Sequence, residues 1–425
     1  MTPQIKQRIE QIRCGEVPEG YKKTRAGVIP NEWELCTISD CLEKVDNPVS
    51  VESDTVYTQI GIRSHGKGLF YKEPITGKGL GNKSVFWIEP NCFVLNIVFA
   101  WEQAFGKTTN NEIGMIASHR FPMYRPINNS VDLDYLICYF LTKRGTDILD
   151  AASPGGAGRN RTLGQDRFIK SKIMLPPPAE QQKISEILSA QDKLISLKEK
   201  LIEERKRQKK ALMQQLLTGK KRLPGFSGEW DKFHLNQIAE RITRKNKIGN
   251  DNVLTISAQY GLINQSEFFD KEIASEDKSN YFLLFRNDFA YNKSYSVGYP
   301  FGTIKQLTRY DMGIVSPLYI CFQIVGNNAS AEYLEHYFEA GLMNKEIQSF
   351  AQEGARNHGL LNISVEDFFN SQIILPPMKE QLAIAHILTS ATKEIDLLQK
   401  DLNQEKQKKK ALMQLLLTGI VRVTN

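Results

Sequence analysis

Residues 206 to 219 read KRQKKALMQQLLTG and residues 406 to 419 read KQKKKALMQLLLTG, with 11 of 14 positions identical at an offset of 200. A duplication this close constrains the fold before any local propensity is weighed. At the same offset Ile173-Met174-Leu175-Pro176-Pro177 pairs with Ile373-Ile374-Leu375-Pro376-Pro377, and Glu180-Gln181 with Glu380-Gln381, so the matched segment spans about 47 residues. Ahead of each copy lies a less similar block that opens on a Gly and Trp element, Gly27 to Trp33 and then Gly225 to Trp230. Both blocks contain an Asn-x-Phe...Asn run, Asn91 to Asn96 and Asn287 to Asn292. The plan is variable block, helix, variable block, helix, which 425 residues accommodate as several domains.

The matched segments predict long helices. Pro176 to Pro178 suit a helix entry, Gly219 and Gly419 suit the position just past its end, and neither Pro nor Gly interrupts 179–218 or 379–418. Roughly forty residues at 1.5 Å each make a rod of about 60 Å. The apolar positions recur every seven residues: Leu188, Ile195, Ile202 and Leu216, then Leu388, Ile395, Leu402 and Leu416, interrupted by Lys209 and Lys409. So narrow a stripe needs a partner helix. Equal length, register and interruption favour packing of the two rods on each other over packing of each on its own neighbouring block. A two-fold relation between the copies would make them antiparallel. The expected fold is therefore α+β, two compact α/β blocks separated by two long helices in an antiparallel coiled coil, an internal pseudo-two-fold repeat. The expected boundaries are an N-terminal arm at 1–26, blocks at 27–172 and 223–372, and helical regions at 173–222 and 373–425. In the arm, Ile5, Ile9 and Ile12 have helical spacing and suit packing against the rods.

The blocks mix short β-like runs (56–62, 85–88, 253–256, 319–325) with Gly-rich loops and helical stretches at 133–141 and 331–340. Their loops are basic and aromatic. Lys67, Lys78 and Lys83 stand out in the first block, and Lys293, Tyr295, Lys305 and Arg309 in the second. Just before each helical segment comes a Gly loop bearing Arg-Asn: Gly155 to Gly158 with Arg159, Asn160 and Arg161, and Gly354 with Arg356 and Asn357. Gly lets a backbone approach a ligand closely, Arg offers a fork of donors, and Asn pairs with adenine edges. Together these residues are candidates for contact with double-stranded DNA, although any one exposed Lys is more simply a solubility residue.

Lys plus Arg (55) exceed Asp plus Glu (48) by seven. The excess concentrates at 198–222, net +7, and at 393–422, net +3, where it either solvates a helix face or attracts phosphates. Six scattered cysteines, Cys14, Cys36, Cys41, Cys92, Cys138 and Cys321, show no zinc spacing and suit free thiols in a reducing cytoplasm. No apolar run reaches the length that spans a membrane.

Catalytic motifs are missing. Gly77-Lys78-Gly79-Leu80-Gly81-Asn82-Lys83-Ser84 has Asn82 where a phosphate-binding loop needs its second Gly. Leu175 and Leu375 replace the polar residue of the Asn/Asp-Pro-Pro-aromatic motif of amino-methyltransferases. Six dispersed histidines make no HExxH, and no GxSxG occurs.

The paired ILPPxxEQxxI elements (Ile173 to Ile184, Ile373 to Ile384), the twin KKALMQxLLTG ends and the Gly...Trp openings resemble the specificity subunits of Type I restriction-modification systems over nearly the whole chain. The resemblance implies two target recognition domains, each reading one half of a bipartite, asymmetric DNA site. It also implies an antiparallel coiled coil that sets the gap between half-sites and docks two methyltransferase subunits, with restriction and translocase subunits joining that core. No cofactor is then expected in this chain; S-adenosylmethionine, ATP and Mg²⁺ would belong to the partners. A free-standing bipartite regulator or anti-restriction decoy is the alternative, distinguished by binding DNA without a methyltransferase.

Overall fold

The computed structural model describes residues 3–24, 27–155, 161–257, 260–268, 277–295, 298–353 and 361–423. Two helices of 39 residues each, Pro178–Leu216 and Met378–Leu416, stand where the Pro and Gly punctuation predicts them. Their ends are built alike. Gly219 donates to Leu216 and Lys221 to Gln215; Gly419 donates to Leu416 and Val421 to Leu415. Both glycines take left-handed backbone, φ +69° and +74°, which returns the chain across the last turn and satisfies carbonyls the helix leaves open. Among the described residues no helix is long and apolar enough to cross a membrane.

The chain forms two compact units, Met1–Lys198 with Asp401–Asn425, and Glu199–Lys400. In the first, strands run in the order Phe105–Lys107, Phe93–Leu95, Met123–Pro126, Leu42–Val45 in a four-stranded antiparallel sheet. The helix Leu133–Phe140 packs into the same core, capped by Asp132, whose side chain accepts from the Tyr135 amide. Trp33, Phe93, Phe140 and Phe168 meet Ile184 and Leu188 of the first long helix and Leu416 and Leu417 from the end of the second. The N-terminal helix Pro3–Arg13 buries none of its residues. It is tied to the chain end instead: Arg8 donates to the Ile420 carbonyl and lies over the Tyr21 ring, and the Tyr21 hydroxyl donates to the Gly419 carbonyl.

The second unit repeats the design. Strands Ala239–Arg241, Ile320–Ile324, Phe289–Asn292 and Thr303–Gln306 form its antiparallel sheet. Phe289 sits opposite Phe322, as Phe93 sits opposite Tyr124 in the first unit. The helix Ala331–Glu339 is capped by Ser330. Phe289, Tyr291 and Phe368 share a core with Leu216 and Leu217 of the first long helix and Ile384 and Leu388 of the second. The fold is thus α+β with an internal repeat, and each core takes in the start of one long helix and the end of the other.

Within each unit the long helices run antiparallel. In the first, Gln191 donates to Glu405 at 2.7 Å, Asp192 pairs with Lys409 at 2.5 Å, and Lys198 pairs with Asp401. In the second, Arg205 meets Glu394 at 3.0 Å. As numbers rise on one strand of the pair they fall on the other. Of the eight heptad positions, Leu188, Ile195, Ile202, Leu216, Leu388, Leu402 and Leu416 are buried and Ile395 is half-buried. Leu188, Leu216, Leu388 and Leu416 belong to the domain cores, so the helix-on-helix and helix-on-domain alternatives are both realised on one stripe.

Candidate functional site

The Glu-Gln pair after each Pro run joins a variable block to both long helices. Gln181 accepts from the Asp132 amide at 2.8 Å and donates to the carbonyls of Pro176 and Ser130 at 2.9 and 3.1 Å. Gln381 makes the same three bonds, accepting from Ser330 at 2.9 Å and donating to Pro376 and Asn328, each at 2.8 Å. The neighbouring glutamates are buried and take an arginine from the tail of the opposite helix. Arg422 reaches the two oxygens of Glu180 at 2.7 and 2.8 Å, and Arg222 those of Glu380 at 2.7 and 2.6 Å. Buried carboxylates are tolerable only when paired in this way, and the planar guanidinium fork meets both oxygens at once.

The two clamps differ in detail. Trp33 Nε1 donates to Glu180 at 3.1 Å. Trp230 Nε1 has no hydrogen-bond partner, and its ring instead lies beneath the Arg222 guanidinium, 5.7 Å from it. In the sequence Arg222 and Arg422 read as members of a charge run. Their signal was present, since each stands three residues past its terminal Gly at the offset of 200.

Arg159, Asn160, Arg356 and Asn357 lie outside the described residues. Residues beyond them attach at equivalent places, the Leu163 amide donating to the Ile97 carbonyl at 2.7 Å and the Leu361 amide to the Lys293 carbonyl at 3.1 Å. Ile97 and Lys293 each follow an asparagine that holds its own turn: Asn96 accepts from Val98 and Asn292 from Ser294, both at 3.1 Å. Leu163 and Leu361 therefore meet the end of the Asn run in each unit, from which they are separate in sequence.

The remaining candidates scatter. Lys67, Lys78 and Lys83 are exposed, and Lys83 lines a pocket of about 360 Å³. Lys293 is half-buried, Tyr295 is exposed, and the exposed Arg309 stands 3.7 Å from Glu267. Arg161 is committed locally, pairing with Asp150 at 2.7 Å, donating to the Ser153 carbonyl and stacking over Trp101. Lys305 requires a correction. Its side chain is only 7% exposed, on the inner side of the strand Thr303–Gln306, where it pairs with Glu339 and faces the Tyr299 ring. A lysine so enclosed is not presented to a phosphate.

Lys305 belongs to a buried polar cluster. The Gln306 amide donates to Glu335 at 2.8 Å, and His336 Nε2 lies 3.0 Å from the Thr389 hydroxyl. Burial pushes the Glu335 carboxyl up to about 7 and the His336 imidazole down to about 4, and holds Lys209 below its ordinary value. Such shifts accompany catalytic sites but also follow from any enclosed polar network. Here the groups satisfy one another inside a core. At the matching positions of the helix Leu133–Phe140 and the residue after it, the first unit has Ile137, Cys138 and Leu141.

The family described as the Type I restriction modification DNA specificity domain matches residues 30–207 and again 227–407. A putative type I restriction enzyme specificity subunit of Methanocaldococcus jannaschii, named MjaX, is 24% identical over 95% of this chain and 97% of its own length. The HsdS subunit from Thermoanaerobacter tengcongensis superposes with a TM-score of 0.54 at 15% identity, covering 92% of this chain and 98% of that one. A chain from a study of complex assembly and conformational transition of the type I R-M system superposes with a TM-score of 0.55 at 15% identity, covering 92% and 99%.

Proposed function

Because the chain belongs to the Type I restriction modification DNA specificity domain family and carries that domain twice, we propose that each variable block reads one half of a bipartite DNA site for a restriction and modification complex. The chain is the specificity subunit of such a system, a recognition component without catalysis of its own. The observation that carries the proposal is the duplicated Glu-Gln clamp. It attaches two blocks of different surface through matching joints, Glu180 with Arg422 and Glu380 with Arg222. Matching joints with unlike surfaces suit a reader of two unlike half-sites.

Base edges carry the sequence information and phosphates the orientation. The contact of Leu163 and Leu361 with the end of the Asn run in each unit supports that place as the reading face. The paired helices would set the unread gap. Leu197 and Leu397, equivalent at the offset of 200, are 54% and 65% exposed. One such leucine in each unit supports the docking of two methyltransferase subunits, to which the restriction subunits join. S-adenosylmethionine, ATP and Mg²⁺ act on those partners.

Methylome sequencing of cells with and without this chain tests the proposal. A bipartite motif, methylated only when the chain is present, is the expected result, and an unchanged methylome overturns it.

A further inference from the structure

Among the described residues, the first unit contains a cationic pocket whose matching positions in the second are uncharged. Gln59, Lys72, Lys83, Asn96, His119 and Arg120 line a concavity of about 360 Å³, and no carboxylate is among its walls. Three other cations of the same unit are neutralised: Lys107 by Asp134, Arg125 by Glu89, Arg161 by Asp150. A larger cavity of the same unit, about 920 Å³, is lined by two of these paired cations, Lys107 and Arg125. Like charges gathered without counter-charge raise the energy of the free protein, so the arrangement is best explained by an acceptor that enters from outside.

The backbone that builds the pocket is duplicated. Gln59 bridges Ile116, and Val253 bridges Ile314 in the same parallel sense. The Lys72 amide donates to the Gln59 carbonyl, as the Gln265 amide does to that of Val253. Trp87 donates to Asn47 and Leu283 to Arg244, which aligns Lys83 with Ser279. Phe121 donates to Ser118 and Tyr319 to Ser316, which aligns His119 and Arg120 with Pro317 and Leu318. Asn96 keeps its counterpart in Asn292. The second unit therefore has Gln265, Ser279, Pro317 and Leu318 where the first has Lys72, Lys83, His119 and Arg120.

A phosphate contact carries no sequence information and serves any half-site equally. Cations confined to one of two duplicated frames fit a feature that one half-site has and the other lacks. Among base edges the acceptor pair is guanine N7 and O6, which Arg and Lys recognise. We propose that Arg120, with Lys72 and Lys83 beside it, reads a guanine in the half-site bound by the first block. This rests on the chain's role as a DNA-specificity subunit.

The test uses the full chain assembled with its methyltransferase subunits and a duplex bearing the motif found by methylome sequencing. Each guanine is replaced in turn by 7-deazaguanine, which removes the N7 acceptor, and each phosphate by a methylphosphonate. Wild-type complex is expected to lose roughly tenfold in binding at one guanine. Arg120→Ala is expected to lose about as much on the natural duplex and nothing further on that modified one. Lys83→Gln should weaken the same half-site and leave the other intact, which also reports correct folding. Unchanged binding by Arg120→Ala overturns the proposal. So does non-additivity with a methylphosphonate instead of 7-deazaguanine, an effect spread over both half-sites, or a motif without guanine in the affected half. If wild-type complex shows no preference for the motif duplex, the family-level reading fails instead.

Discussion

Arg222 holds both carboxylate oxygens of Glu380, at 2.7 and 2.6 Å, although 158 residues separate them in sequence. The Glu380 side chain is wholly buried, whereas Glu180 in the matching clamp also accepts from Trp33 Nε1 and the Val423 amide. Removing the arginine strands a buried charge in the second unit and a better supported one in the first. Arg222→Ala should therefore lower the thermal midpoint of the second unit by several degrees, on the order expected for an unpaired buried ion. Arg422→Ala should do less to the first. Calorimetry resolving the two units checks the order, and Arg222→Lys should recover only part of the loss because an ammonium cannot form the fork.

The buried cluster gives opposed pH dependences. His336, at about 4, lies below its unfolded value of 6.5, so the unfolded chain binds the extra proton and stability falls as pH drops from about 6.5 towards 4. Glu335, at about 7, lies above its ordinary 4.5, so its contribution is present at low pH and is lost as pH rises from about 4.5 to 7. The two offset each other in wild type. Denaturant melts at pH 5 and pH 7 should show His336→Gln less stable at the higher pH and Glu335→Gln less stable at the lower.

Gly419 is irreplaceable on two counts. Its φ is +74°, and a Cβ there would meet the Pro30 ring at 2.6 Å. At Gly219 the φ is +69° but the nearest atom, in the Trp230 ring, is 3.4 Å away. Gly219→Ala should cost about 1–2 kcal/mol, the penalty of left-handed backbone alone. Gly419→Ala should exceed it, as chemical denaturation will measure.

Leu197→Glu and Leu397→Glu place a charge on each exposed leucine without disturbing a core. Each single variant should weaken capture of one methyltransferase copy by roughly tenfold, and the double variant should lose both. Mass of the co-purified complex distinguishes two, one and none.

Seven residues inserted after Lys198 and seven after Lys400 preserve the apolar repeat in both helices while adding about 10 Å to each. The unread gap of the methylated motif should then lengthen by about three base pairs at 3.4 Å each, with both half-site sequences unchanged. Sequencing the methylome of cells carrying the insertion reads this out.

The helices were legible because an unbroken run between Pro178 and Gly219 admits little else. What covers a stripe was not. Leu188 and Leu216 have the same heptad spacing as Ile195 and Ile202, yet belong to different cores, since periodicity marks an apolar face without naming its neighbour. Lys305 looked like a loop cation because its partner, Glu339, lies on a helix 34 residues away. Long-range pairing of this kind leaves no local trace. Arg120 and His119 leave no local trace for a related reason, as a pocket assembled from five separated segments is invisible until the strands are paired.

The second unit is one continuous stretch of polypeptide, Glu199–Lys400, whereas the first needs Asp401–Asn425 to close around Trp33. A ribosome working from the amino end thus releases everything required by the later block before it supplies Leu416, Leu417 and Arg422 to the earlier one. The nascent protein must carry its opening half unfinished until Leu416, Leu417 and Arg422 have been made, so the second core can close before the first.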